Sequence, residues 1–108
     1  MRVISLELHL ERDALESKDV AVLCQRWKLT EADVLYFFVN ATPITGEEWH
    51  ALYDVMDCDY RGQIELGGET YDFSINGVSF GVISTTTQPV AAEMYGCMSQ
   101  CAHLFPFG

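Results

Sequence analysis

No apolar stretch in this sequence approaches the roughly 18 residues that a membrane-crossing helix requires. The densest run, Val34 to Val39, is six residues long. The first residues, Met1-Arg2-Val3-Ile4-Ser5-Leu6-Glu7, carry charge early and hold no long apolar core, so no secretory signal is expected. Basic residues are scarce beyond the first quarter: residues 29–108 contain one, Arg61, against eleven acids. A surface of that sign repels phosphates, which argues against nucleic acid as a partner. Also missing are a nucleophile-elbow serine motif, a His-Glu-x-x-His pair and a glycine loop of the phosphate-cradling kind. No enzyme is expected.

What is present is globular in composition. About half of the 108 residues are apolar and a fifth are charged, enough to build one core. The net charge is −10. Residues 1–28 balance five acids with five bases, so the whole imbalance lies further along the chain. Such a field speeds encounter with basic proteins.

Residues 3–10 alternate, with Ile4, Leu6, Leu8 and Leu10 on one side and Val3, Ser5, Glu7 and His9 on the other, which suggests a strand. Ser17 suits the cap of a helix over 18–27 whose inner stripe is Val20, Leu23, Cys24 and Trp27. Thr30 caps a second helix over 31–41, ended by Pro43. This pair invites a helix-turn-helix reading, but the second helix carries Glu31 and Asp33 and no base. Thr45-Gly46-Glu47-Glu48 is a capping box opening a third helix over about 46–57, with Trp49, Leu52, Tyr53 and Met56 inward.

Gly67-Gly68 and Asn76-Gly77 are two-residue turn signals. They predict a meander over 60–66, 69–75 and 78–84 in which Ile64 faces Tyr71, Gly62 faces Phe73, Phe73 faces Phe80 and Tyr71 faces Val82. The expected fold is therefore α+β, a single domain over 1–108. Its N-terminal helices pack on a three-stranded antiparallel β-meander, with a candidate N-terminal strand added. A short helix is expected around 98–104, with Phe105-Pro106-Phe107 packed back on the sheet.

The four cysteines are expected as reduced thiols, which goes with a cytoplasmic location in a chain without a signal. Cys97 and Cys101 could start a metal site with Cys24, Cys58 or His103, or form a disulfide; buried small side chains are the favoured reading. No metal and no cofactor are expected. The candidate binding residues are acids. Glu47, Glu48, Asp54, Asp57 and Asp59 crowd into thirteen positions, and Glu65, Glu69 and Asp72 follow in the sheet. No Lys or Arg sits at helical spacing to relieve the repulsion, so a basic protein partner is expected.

Four pieces of the chain have a familiar order and spacing. They are Phe37-Phe38 with Ala41-Thr42-Pro43-Ile44-Thr45, Cys58-Asp59-Tyr60-Arg61-Gly62-Gln63-Ile64, Gly68 to Gly77, and Tyr95-Gly96-Cys97 with Cys101 and Leu104-Phe105-Pro106. Together they resemble a group of small bacterial immunity proteins of contact-dependent inhibition and other polymorphic toxin systems. The resemblance implies a cytoplasmic protein that binds and blocks a cognate toxin domain, often a nuclease such as an RNase, in a 1:1 complex without nucleic acid or membrane. Glu47, Glu48, Asp54, Asp57, Asp59 and Asp72 are the expected toxin-binding residues, acting as phosphate mimics. The alternative is a protein-binding or regulatory module outside toxin systems, using the acidic face or a sheet edge.

Overall fold

The computed structural model describes residues 1–11, 18–52, 57–85 and 93–105 of the chain. They form an α+β domain around a six-stranded antiparallel sheet. In chain order the elements are β1 (Arg2–Leu10), α1 (Lys18–Arg26), α2 (Glu31–Asn40), β2 (Thr42–Pro43), α3 (Gly46–Leu52), β3 (Cys58–Leu66), β4 (Glu69–Asn76), β5 (Phe80–Thr85) and β6 (Glu93–Gly96), followed by a 3-10 helix at Ser99–Leu104. Across the sheet the order is β1-β3-β4-β5-β6-β2. The expected meander is thus the middle of a wider sheet. The expected N-terminal strand is its first edge, and the short strands β6 and β2 were not anticipated.

Local chemistry explains where the helices start. At α2 the Thr30 hydroxyl accepts from the Asp33 amide at 3.1 Å and the Asp33 carboxylate accepts from the Thr30 amide at 3.0 Å, a complete capping box. At α3 the same reciprocal pair joins Thr45 and Glu48, each bond 3.1 Å. The expected Ser17 cap, the last turn predicted for the third helix with Tyr53 and Met56, and Pro106-Phe107 lie outside the described residues.

The core lies between the inner face of the sheet and α1 and α2. Trp27, Val34, Phe37, Ile64 and Ile75 are essentially inaccessible to solvent. The polar atoms carried in by the aromatics are satisfied: Trp27 Nε1 donates to the Leu104 carbonyl at 2.9 Å, and the Tyr60 hydroxyl donates to the Trp27 carbonyl at 2.7 Å. Phe105 closes the core against Trp27 and Phe37. Of the stripe predicted for α1, Leu23 turns out to be exposed, while Cys24 and Trp27 are buried.

Two register predictions are corrected. A bulge between Val3 and Ser5 turns Val3 inward opposite Ile64 and leaves Ile4 exposed. The β3–β4 pairing is as predicted, with Ile64 opposite Tyr71 and Gly62 opposite Phe73. The β4–β5 pairing is not: Phe73 faces Ile83 and Ile75 faces Gly81, which moves Phe80 and Val82 to the outer face. The loop is three residues long, with Ser79 rather than Gly77 at positive φ (73°). Tertiary bonds hold Ser79 there, since its hydroxyl donates to the Cys97 carbonyl and its carbonyl accepts from the Cys97 amide. Helix packing favours the same register. A Cβ at position 81 would lie 2.8 Å from the Phe37 ring, so a glycine belongs beneath that ring, and Val78, which the predicted register puts opposite Ile75, could not replace it.

The cysteines are a further correction. Cys24 is disulfide-bonded to Cys58 and Cys97 to Cys101, and all four are buried. The first bond ties α1 to β3; the second closes the turn between β6 and the 3-10 helix. Two such bonds weigh against the reducing cytosol expected from the sequence. No helix among the described residues is long and apolar enough to cross a membrane.

Candidate functional site

Strand alternation gives the outer face of the sheet its chemistry. β1 contributes Arg2, Ser5, Glu7 and His9 to it, β3 contributes Asp59, Arg61, Gln63 and Glu65, and β4 contributes Thr70, Asp72 and Ser74. On β5 and β6 the same face is apolar, with Phe80, Val82 and Met94. Trp49 of α3 lays its ring 5.7 Å from that of Phe80, so α3 covers this end. The β1-β3-β4 end carries the open, charged part.

Three groups of contacts order the charges. At one margin Arg2 meets Glu65 at 3.1 Å, with both side chains well exposed. At the opposite margin Arg61 donates through Nε to Asp59 Oδ2 at 2.7 Å and through a terminal nitrogen to Glu11 Oε1 at 3.0 Å. His9 Nε2 lies 3.3 Å from the same Glu11 oxygen. Asp59 is buried in this cluster, and its Oδ1 has no hydrogen-bond partner among the described residues. Between the margins Ser5, Glu7, Arg61, Gln63 and Asp72 line a shallow cleft of about 390 Å³. Gly62 and Phe73 complete its lining. Among the described residues no base pairs with Glu7 or Asp72; Asp72 accepts a long bond from Gln63 Nε2 at 3.4 Å. No histidine lines this cleft.

The predicted binding residues do not form one patch. Glu47 and Glu48 are exposed on the first turn of α3, where the Glu48 carboxylate is held by the capping box. Asp54 lies outside the described residues. Asp57 is half-buried, and its carbonyl accepts from the Glu11 amide at 2.8 Å. Asp59 is buried within the outer-face cluster and paired with Arg61, so it displays little free charge. Asp72 is exposed on the open face. It is opposite Gln63, four residues along β3 from Asp59, which is about 13 Å at strand rise. Sequence reasoning passed over Glu7, His9 and Glu11, though Glu7-x-His9-x-Glu11 has the spacing that puts all three on one side of a strand.

Two more carboxylates sit at the margin of the inner face. Tyr71 donates to Glu69 Oε2 at 2.9 Å and Tyr95 donates to Glu93 Oε2 at 2.6 Å. The bond to Glu93, then burial and the Glu93 charge, push the Tyr95 hydroxyl up to about 12. The bond and charge of Glu69 move Tyr71 in the same direction. Both phenols therefore stay protonated near neutral pH.

Comparison of the chain with known protein families, with curated proteins and with solved structures finds no match.

Proposed function

We propose that this chain is a protein-binding domain whose open outer face receives a basic segment of a partner, and that it acts as an immunity-type inhibitor of a toxin domain. The observation that carries the binding half is the cleft between Glu7 and Asp72, two carboxylates that no base of the described residues neutralises, on the part of the sheet the helices leave open. Neighbouring charges are already paired, so these two are the ones a partner cation would meet first. Glu47 and Glu48 stand apart on α3 as a second, weaker contact. The toxin-neutralising half rests on the family resemblance alone, as does a nuclease as the recipient. The disulfides favour an oxidising compartment for the encounter.

The test is protection and binding together. Cells making the chain should survive the product of the gene directly upstream, and the two proteins should co-purify 1:1. Glu7→Lys/Asp72→Lys should keep the fold but slow association about tenfold at low salt, with the difference shrinking as salt rises. Unchanged association would rule out the carboxylate face as the recognition surface. One observation favours a second reading: β1 is a nine-residue strand at the sheet edge, with no strand among the described residues on its outer side, so it could accept a partner strand. That mode predicts binding that is insensitive both to salt and to the double substitution.

A further inference from the structure

We infer that His9, Glu11 and Asp59 form a binding site for a divalent cation of the zinc class. The strand pairing builds the site. His9 and Asp59 are directly opposite each other across β1 and β3. Glu11 follows two positions after His9, held by its amide bond to the Asp57 carbonyl at 2.8 Å. One donor atom from each of the three side chains lies within 4.8 Å of the other two.

The second observation is the state of the Asp59 carboxylate. Asp59 is 8% exposed, and its Oδ1 is buried without a hydrogen-bond partner among the described residues. Arg61 occupies only one oxygen of each carboxylate, Asp59 Oδ2 and Glu11 Oε1. The arginine therefore orients both carboxylates and leaves Asp59 Oδ1 available, the arrangement of an outer partner behind metal ligands. A buried carboxylate oxygen with nothing to bond is costly, and a cation seated beside it removes that cost.

Donor type selects the ion. One imidazole nitrogen with two carboxylate oxygens suits zinc, which takes such ligands at about 2.0–2.2 Å. Calcium prefers six or more oxygens and gains little from an imidazole. Three protein ligands leave a fourth position for water or for a donor from a partner. The sequence suggested metal only at the cysteines, and those are consumed as disulfides.

The experiment is calorimetric titration of the whole disulfide-intact chain with zinc chloride, after a thiol assay confirms that no free cysteine remains. We expect one zinc per chain and a rise in thermal midpoint on loading. His9→Gln and Asp59→Asn should each weaken binding by about tenfold or more. His9 is partly exposed, so His9→Gln is the control that folds even if Asp59→Asn does not. Absence of a stoichiometric zinc site, zinc affinity unchanged in His9→Gln, or calcium chloride binding more tightly than zinc would each overturn the assignment. The site needs no protein partner, so its failure leaves the proposed function standing, and the reverse holds too.

Discussion

The two faces of the sheet divide stability from recognition. On the inner face Ile64, Phe73 and Ile75 are buried against Trp27, Val34 and Phe37, and the polar atoms of Trp27 and Tyr60 that enter are bonded to backbone. On the outer face of β1, β3 and β4, charged groups meet in exposed or half-exposed pairs, and Glu7 and Asp72 pair with no base of the described residues. Burying a large apolar side chain is worth about 1.5–3 kcal/mol, whereas an exposed ion pair contributes about 0–1 kcal/mol. The exposed carboxylates of the outer face, Glu7 and Asp72, can therefore be replaced with little effect on the fold. That freedom lets a small domain display unneutralised charge at all.

The largest effect should come from the inner face. Phe37 is fully buried, rests on Gly81 and meets Phe38 and Phe105 edge-on. Phe37→Ala removes those contacts and leaves a cavity, so it should cost about 3–5 kcal/mol in urea unfolding. The outer-face double variant Glu7→Lys/Asp72→Lys should shift the same unfolding curve by no more than about 0.5 kcal/mol per site. Comparable losses from the two would erase the distinction between the faces.

Next in size is the disulfide that fastens α1 to the inner face. Cys24 and Cys58 are 34 residues apart in sequence, and both are fully buried. Releasing that bond frees a long loop in the unfolded chain, so Cys24→Ala/Cys58→Ala should cost about 2–4 kcal/mol. The Cys97–Cys101 bond closes a separation of only four residues. Its removal should cost less, since loop entropy grows with loop length. Guanidinium unfolding of the two double variants gives the ranking, and the reverse order would mean that native packing, not chain entropy, decides.

How much of this could be read from residues alone depends on whether a local signal set the geometry. The cap at Thr30 and the capping box at Thr45 depend on neighbours in the chain, and the structure forms both, adding the reciprocal Asp33 bond at Thr30. The Gly67-Gly68 turn has both glycines at positive φ, and the β3–β4 register follows from it. Asn76-Gly77 looks equivalent but is overruled from a distance: Cys97 holds Ser79, and Phe37 needs Gly81 beneath it. An odd shift in register exchanges the two faces, so this one misplaced turn put Phe80 and Val82 on the wrong side. The candidate site was hidden for a similar reason. The charge asymmetry was visible, but the acids that share the open face come from β1, β3 and β4, and of the run between Glu47 and Asp59 only Asp59 is among them. Only the β1–β3 pairing brings His9 and Glu11 to Asp59 and Arg61.

The smallest effect concerns the rim where inner face meets solvent, and it is a matter of pH. Tyr95 donates to Glu93 at 2.6 Å and keeps its proton up to about pH 12, against an ordinary tyrosine value of 10.0. Between those values the unfolded chain has lost a proton that the folded chain retains. Stability from this pair is thus fully present below about pH 10 and declines as pH rises toward about 12. Tyr71, raised in the same direction by Glu69, adds to the decline. Tyr95→Phe should lower stability modestly below about pH 10, where the bond is fully present, and flatten the stability-against-pH curve in the alkaline window above it. Urea unfolding at a series of alkaline pH values, with phenolate absorbance followed in parallel, measures both. An unaltered slope in Tyr95→Phe would mean that the rim is solvated like the outer face, and that the boundary between the two faces lies further inside than Tyr95.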